Sequence, residues 1–304
     1  MNNEIIRPSK AERMAFFVDY REDTVYSAHA RLLQSKWRDK RQFPRGRFGS
    51  FIETGFATRS RVNFLTDTIK EIVSREVEAA TQTGAFISAP RIWDNLLSSQ
   101  PLCFNLFGEM QADLALATAF FGALFPDRVE TVTALKFEYS PGRGDPKYTG
   151  DRSAFDAFVE YSKQGKRGCI GIEVKYAESL NEETVDKAAK NYRPRYGEII
   201  LESGVFNAGA LEELKRPPVA QICRDHLLSI VTQKGYDEGF FVFLYPGANV
   251  LCARGVKAYE DLLIPGGPAI TGFYPQHLER FIEKLCELRA EKWTRELRDR
   301  YLGP

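Results

Sequence analysis

Two short stretches between residues 155 and 176 alternate apolar and polar positions with the two-residue period of a β-strand. A polar, glycine-containing turn over 162–168 separates them, so the pattern predicts a hairpin folded about Gln164 and Gly165. The register of that hairpin pairs Phe155 with Val174, Ala157 with Ile172 and Val159 with Ile170. One face of the hairpin is then apolar, and a slip by one residue would destroy that face.

The same register gathers charged residues on the other face of the hairpin. Asp156 lies opposite Glu173, and Lys175 points the same way as Glu173 because the two are separated by one residue. Two carboxylates directly opposite each other destabilise a sheet unless a cation lies between them. The pattern therefore predicts a divalent metal site with an activated water, which is the chemistry of phosphodiester cleavage. The alternative is a solvated sheet face with a cross-strand charge pattern.

Two other acid-x-Lys triplets test how specific this signal is. Asp145-Pro146-Lys147 lies in a turn rich in proline and glycine, and Glu213-Leu214-Lys215 precedes two prolines. Neither triplet lies on an apolar strand with a second carboxylate opposite, so only the hairpin carries the prediction.

The remaining pattern predicts an α-β-β-β-α-β core, with a mixed sheet between helices. Its elements are a helix over 105–125, a strand over 129–139, the hairpin, a helix over 218–232, a buried strand over 240–245, a short strand over 250–253 and a long charged helix over 275–302. Helical patterns over 10–40 and 60–82 precede this core. We therefore expect an N-terminal helical extension, residues 1–98, packed on a core of residues 99–304.

Composition and charge limit the possible functions. With 304 residues, 43% of them hydrophobic and 27% charged, the chain resembles an ordinary globular protein. A net charge of +1 gives no overall basic field, so a polyanion must bind at a local patch. Three histidines and five scattered cysteines argue against a structural zinc site and favour a reducing, cytoplasmic location. No segment predicts a signal peptide or a membrane span.

One local patch is visible in the sequence between residues 36 and 49. This segment contains six basic residues with three aromatic residues among them. Two interpretations remain open. The segment is either a loop that contacts phosphates and stacks aromatic rings, or a solvated helix end followed by a turn.

Asp156 followed by Glu173-Val174-Lys175 resembles the active-site motif of the PD-(D/E)xK phosphodiesterase superfamily, whose fold is that of restriction endonucleases. The flanking stretches PLCFNLFGEM and PVAQICRDHLLS, together with the order of elements, resemble a bacterial subgroup of these proteins over about residues 99–253. Phe155 stands where the family name has a proline. The resemblance implies an α/β fold with a restriction-endonuclease-like core.

The resemblance also implies roles for individual residues. Asp156, Glu173 and the backbone carbonyl of Val174 would bind Mg²⁺ or Mn²⁺, and Lys175 would orient the attacking water. Glu109, on the helix before the sheet, would reach the metal through a water, unless it is only part of a solvated helix edge. Gln221 would lie near the site, on the helix after the motif. Candidates for contacts with nucleic acid are Arg193, Arg195 and Arg224.

These observations predict a Mg²⁺-dependent deoxyribonuclease that acts on DNA as an endonuclease, in restriction, repair or defence. We expect no membrane partner and a possible homodimer. The alternative is a non-catalytic scaffold with a nuclease-like fold that binds nucleic acid or another protein.

Overall fold

A five-stranded mixed sheet forms the centre of the protein. The computed structural model describes residues 5–180 and 183–303. The strands lie side by side in the order β1 to β5; β1, β2 and β3 run antiparallel, whereas β4 and β5 run parallel to β3. Their bounds are β1 (Thr131–Tyr139), β2 (Phe155–Lys163), β3 (Lys166–Val174), β4 (Glu238–Tyr245) and β5 (Phe273–His277).

Helices cover both faces of this sheet, which confirms the expected α/β class and the α-β-β-β-α-β order. The helices before the sheet are α1 (Lys10–Ala15), α2 (Val25–Lys40), α3 (Thr54–Ser60), α4 (Asp67–Thr83), α5 (Arg91–Asp94), α6 (Ser99–Ala112) and α7 (Leu114–Leu124). Those between β3 and β4 are α8 (Val185–Asn191), α9 (Pro194–Ser203), α10 (Leu211–Leu214) and α11 (Ala220–Gln233). The last four are α12 (Val250–Glu260), α13 (Pro268–Thr271), α14 (Leu278–Leu288) and α15 (Lys292–Tyr301).

The hairpin between β2 and β3 has the predicted register. Ala157 pairs with Ile172 and Val159 with Ile170. The turn is only two residues long, and both Gln164 and Gly165 have positive φ, which matches the twist of the strands. The strands therefore extend further into the predicted turn than the sequence suggested.

The expected position of Phe155 on the apolar face with Ala157 was wrong. Phe155 packs on the opposite face of the sheet, stacked on Phe158 with ring centroids 5.5 Å apart. It covers Gly171, where an added Cβ would lie 2.3 Å from the phenyl ring. The missing side chain at Gly171 provides the space that draws Phe155 to this face.

Three further expectations about elements were wrong. Residues 250–253 begin helix α12, because the Asn249 side chain caps it by accepting from Cys252 N. Residues 275–302 form the end of β5 and two helices rather than one long helix. The helix expected over 105–125 is divided at Asp113, whose carboxylate caps α7.

Two apolar clusters fill the two faces of the sheet. Ala157, Val159, Ile170 and Ile172 pack with α6, α7 and α14, and the same cluster includes Ile69 and Trp93 from the N-terminal helices. Phe158, Cys169, Phe241 and Phe243 pack with α9, α11 and α12 on the other face. The division of the chain at residue 98 stays a prediction. Within the described ranges no helix has the length and apolar character needed to cross a bilayer.

Candidate active site

The ladder between β2 and β3 ends one residue before the two motif carboxylates. Its last pair is Ala157 with Ile172, and the register places Asp156 level with Glu173. Asp156 Oδ2 accepts a hydrogen bond from Val174 N at 2.7 Å, so a side chain replaces the backbone partner at the end of the strand. This contact fixes Asp156 beside the end of β3.

Glu173 and Lys175 point the same way, as the alternation of the strand predicts. Lys175 Nζ lies 2.5 Å from Glu173 Oε1, and each residue is only 8% exposed. Gln221 Nε2, from α11, donates to the same carboxylate oxygen at 3.2 Å. The structure therefore brings Gln221 to the motif, and the Glu173 side chain is held from two sides.

A third carboxylate lies at the same level of the sheet. Strand β1 pairs Phe137 with Ala157 and Tyr139 with Phe155, which puts Glu138 between them, level with Asp156. Glu138 has a positive φ of 46°, a strained conformation for a residue with a side chain. Glu138, Asp156 and Glu173, here named the carboxylate row, thus cross three adjacent strands.

The environment of Glu138 opposes its ionisation. Burial raises the pKa of Glu138 to about 7, and the charge of Glu173 acts in the same direction. Gln100 Nε2, at the start of α6, donates to Glu138 Oε1 at 2.5 Å. The sequence analysis did not identify Glu138, because a long loop between β1 and β2 hides their register.

Asp225 is a second residue that the sequence analysis missed. It lies one helical turn after Gln221 on α11, is 8% exposed, and its Oδ2 has no hydrogen-bond partner in the described part of the chain. Burial and the charge of Glu173 raise its pKa well above the usual range. The four-residue spacing from Gln221, which puts both side chains on one helix face, was a signal that could have found it.

The site holds more carboxyl groups than cations. Burial, followed by the charges of Glu173 and Glu138, raises the pKa of Asp156 well above its usual range, while Lys175 acts in the opposite direction. Among the described residues, Asp156 Oδ1 and Glu173 Oε2 have no hydrogen-bond partner. A divalent cation would favour the ionised forms of these groups, and carboxylate oxygens suit Mg²⁺ or Mn²⁺.

The carboxylates are not yet arranged as a complete ligand shell. Within residues 5–180 and 183–303, no three Asp, Glu, His or Cys side chains are grouped closely enough to form a metal site. Lys175 occupies one oxygen of Glu173 at 2.5 Å. A cation that used this oxygen of Glu173 would therefore have to displace Lys175 Nζ.

A scan against protein-family models agrees with this geometry. The model described as the PD-(D/E)XK nuclease superfamily matches residues 21–303, nearly the whole chain. The chain belongs to the PD-(D/E)XK nuclease superfamily. Searches of curated proteins and of solved structures found no match. Membership confirms the resemblance and the fold class, and it suggests a nuclease.

Glu109, the acidic residue expected near the metal, lies away from the carboxylate row. Glu109 Oε1 accepts from the Thr66 hydroxyl at 2.5 Å, at the start of α4. Gln100, which does reach the row, lies nine residues earlier on α6, about 13 Å along the helix axis. The role of Glu109 at the metal stays a prediction, and no hydrogen bond or ion pair joins it to the row in the described part.

The three arginines predicted to contact nucleic acid differ in their partners. Arg224 Nη1 pairs with Glu183 Oε2 at 3.0 Å and is next to Asp225 on α11. Arg195 is held by Glu198 at 2.8 Å and by a second glutamate of the same helix. Arg193 is exposed and donates only to backbone oxygens. Their contacts with nucleic acid stay predictions, and Arg193 is the one with no acidic partner among the described residues.

His226, on α11, is fully buried. Its Nδ1 lies 2.8 Å from the Tyr259 hydroxyl, and burial lowers its pKa to about 4. A neutral imidazole enclosed by aromatic rings supports packing of α11 rather than proton transfer.

Proposed function

We propose that this superfamily member is a Mg²⁺-dependent deoxyribonuclease that cleaves DNA internally. The observation that carries the proposal is the carboxylate row beside Lys175, on three adjacent strands at one end of the sheet. Several buried carboxyl groups around one lysine have no structural benefit without a further cation. The superfamily match supports a nucleic acid as the substrate.

Each residue then has a distinct task. Asp156, Glu173 and the Val174 carbonyl would bind the cation, which when bound supplies an activated water and polarises a phosphoryl oxygen. Val174 N holds the Asp156 carboxylate in place, and Gln221 orients Glu173. Lys175 supplies a positive charge for the scissile phosphate. Burial lowers the pKa of its ammonium group, but the nearby carboxylates outweigh burial and raise this pKa, so the group stays charged.

The test is cleavage of a closed circular DNA in Mg²⁺, Mn²⁺ or EDTA. We expect nicked and linear products with either metal and none with EDTA. Glu173→Gln and Lys175→Met should each reduce the rate by roughly 1000-fold, because several kcal/mol of transition-state stabilisation is lost. The unfolding temperature of Glu173→Gln should stay close to that of the wild type. Lys175→Met removes the cation of a buried ion pair and should lower it, so its cleavage rate is compared per folded molecule.

A matched ion pair on the same sheet provides the control. Lys136 and Glu160 are 2.7 Å apart on β1 and β2, four residues along β2 from Asp156, and are more exposed. Glu160→Gln and Lys136→Met should leave cleavage unchanged. Full activity in Glu173→Gln and Lys175→Met would contradict the proposed function.

One observation favours a second function, a binding scaffold without catalysis. Lys175 Nζ and Gln221 Nε2 both contact Oε1 of Glu173, so the fold itself satisfies one oxygen of this carboxylate. Calorimetric titration with Mn²⁺ separates the two functions. A nuclease should bind the ion, and Asp156→Asn should abolish the heat signal, whereas a scaffold with a closed site should give no signal in either protein.

A further inference from the structure

Positive charge is concentrated in one part of the chain outside the candidate active site. Residues 36–61 contain eight lysines and arginines and only two acidic residues, a net charge of +6, against +1 for the whole chain. This segment includes the end of α2, the following loop and α3. A polyanion that meets this protein therefore meets its strongest attraction here.

Ion pairs neutralise only part of this charge. Arg41 pairs with Glu296 at 2.6 Å, Lys36 lies 3.7 Å from Glu12, and the buried Arg38 contacts Asp39 and the Gly49 carbonyl. In the described part of the chain, the other five cations have no ion pair. They are Lys40, Arg45, Arg47, Arg59 and Arg61.

Aromatic rings hold two of the unpaired arginines in place. The Arg45 guanidinium lies 3.4 Å from the ring centroid of Phe17, and that of Arg47 lies 4.7 Å from Phe51. Phe17 is 58% exposed and Phe48, a second ring near Arg47, is 38% exposed. A guanidinium stacked on a ring loses little further freedom when its N–H groups bind an anion.

The loop that carries these arginines is itself well anchored. Gly46 N donates to Phe51 O, and Gly49 N donates to Phe17 O, both at 2.8 Å. An added Cβ at Gly49 would lie 2.0 Å from Phe16 O, so only glycine allows this close approach. The arginines and rings therefore form a fixed surface, defined here by Phe17, Arg45, Arg47 and Phe48 and named the arginine–phenylalanine surface.

A path of hydrogen bonds connects this surface with the end of the motif strand. Leu96 N donates to Ser50 O at 3.1 Å, and three residues later Ser99 N donates to Glu178 Oε1 at 3.0 Å. Glu178 Oε2 accepts from Tyr176 N, two residues after β3 ends. The two three-residue spans of this path, Arg47 to Ser50 and Leu96 to Ser99, each cover at most about 11 Å.

We propose that the arginine–phenylalanine surface binds the phosphate backbone of duplex DNA. This inference rests on the proposed function for the choice of DNA as the polyanion, but it assigns a separate binding surface. Planar guanidinium groups match phosphate oxygens in a bidentate manner, and unpaired arginines held on aromatic rings complement a polyanion.

Binding of a fluorescent 30-base-pair duplex, measured by anisotropy in EDTA, tests the inference without cleavage. Arg45→Ala/Arg47→Ala should bind roughly tenfold more weakly than the wild type at moderate salt. The slope of log affinity against log salt should decrease by about 2, one for each lost phosphate contact. Both arginines are exposed, so thermal unfolding should be unchanged.

A control variant removes two positive charges from other parts of the protein surface. Lys166, at the far end of the hairpin, and Lys292, at the start of α15, are exposed and have no ion pair in the described ranges. Lys166→Ala/Lys292→Ala should bind the duplex like the wild type. Equal affinity of the two double variants would overturn the inference, as would a wild-type protein with no affinity for the duplex.

The outcome can be separated from that of the proposed function. If Glu173→Gln stops cleavage while the arginine variant binds normally, the nuclease assignment stands and this surface is rejected. If the arginine variant binds weakly but Glu173→Gln cleaves normally, the surface stands and the catalytic assignment is rejected.

Discussion

Two of the places where the described part of the protein buries charged groups, around Arg300 and around Glu173, treat them in opposite ways. Arg300 is fully buried, and its guanidinium donates to Gln34 Oε1 at 3.0 Å and to the backbone and side-chain oxygens of Asn63. It also lies 4.2 Å from the Trp37 ring centroid. Every one of these partners is neutral and already in place.

The carboxylate row has no such complete set of neutral hydrogen-bond partners. Glu138, Asp156, Glu173 and Asp225 surround one lysine, and burial raises the pKa of Glu138, Asp156 and Asp225. A buried charge that serves structure is satisfied within the fold, whereas one that serves binding keeps unsatisfied groups for its ligand. By this criterion we assign Arg300 to stability and propose that the row serves binding.

The largest expected effect comes from removing one charge of the row. Asp156→Asn keeps an oxygen to accept from Val174 N but loses a metal ligand, so the DNA cleavage rate should decrease at least roughly 1000-fold. The free energy of unfolding without metal should stay equal or increase, because repulsion with Glu173 and Glu138 is relieved. Cleavage assays and urea unfolding measure the two effects.

Asp237 provides a matched control for this change. Its Oδ2 accepts from Arg167 N at 2.7 Å, the same type of contact, at the opposite end of β3. Asp237→Asn should cleave DNA at the wild-type rate. A large loss of stability in Asp156→Asn, or normal cleavage by it, would contradict the division between the two regions.

The second effect, on stability, comes from Arg300. Arg300→Met leaves Gln34 and Asn63 oxygens without donors in the core, so the free energy of unfolding should decrease by about 3 kcal/mol. Cleavage per folded molecule should be unchanged. Arg298→Met, on the exposed side of the same helix, should differ from the wild type by less than about 0.5 kcal/mol. Wild-type stability in Arg300→Met would show that the network is dispensable.

The parts of the site predicted from the sequence are those fixed by local rules. The hairpin register followed from a period of two and a turn centre, so Asp156, Glu173 and Lys175 were placed relative to one another without tertiary information. Gln221 was placed through the family resemblance, and its contact with Glu173 agrees with that placement.

The parts missed by the sequence analysis depend on long-range contacts. Residues 140–154 separate β1 from β2, so no turn rule fixes the register that brings Glu138 level with Asp156. The Arg300 network joins residues more than 230 positions apart, and no sequence spacing indicates it. The end of β5, residues 275–277, was mistaken for helix because it lacks the alternation of a strand and contains a proline at the sheet edge.

The smallest of the three effects concerns pH and Glu138. Its folded pKa of about 7 exceeds the usual 4.5, so the folded protein binds a proton more tightly than the unfolded chain does. Stability from this group is fully present below pH 4.5 and is lost as pH rises through 7. The difference between the folded and unfolded pKa values of Glu138 corresponds to about 3 kcal/mol in the free energy of unfolding. Partial exposure of the side chain reduces this contribution to about 2 kcal/mol.

Glu138→Gln should therefore flatten the pH dependence of unfolding between pH 5 and 8 without metal, since the amide keeps its neutral form throughout. Urea unfolding at four pH values measures this, with the exposed Glu130→Gln as the control that keeps the wild-type slope. Saturating Mg²⁺ should also flatten the wild-type curve, because a cation beside the row favours its ionised form. An unchanged slope in Glu138→Gln would mean that Glu138 is solvated like an ordinary surface carboxylate, and the contrast with Arg300 would then rest on Asp156 and Asp225 alone.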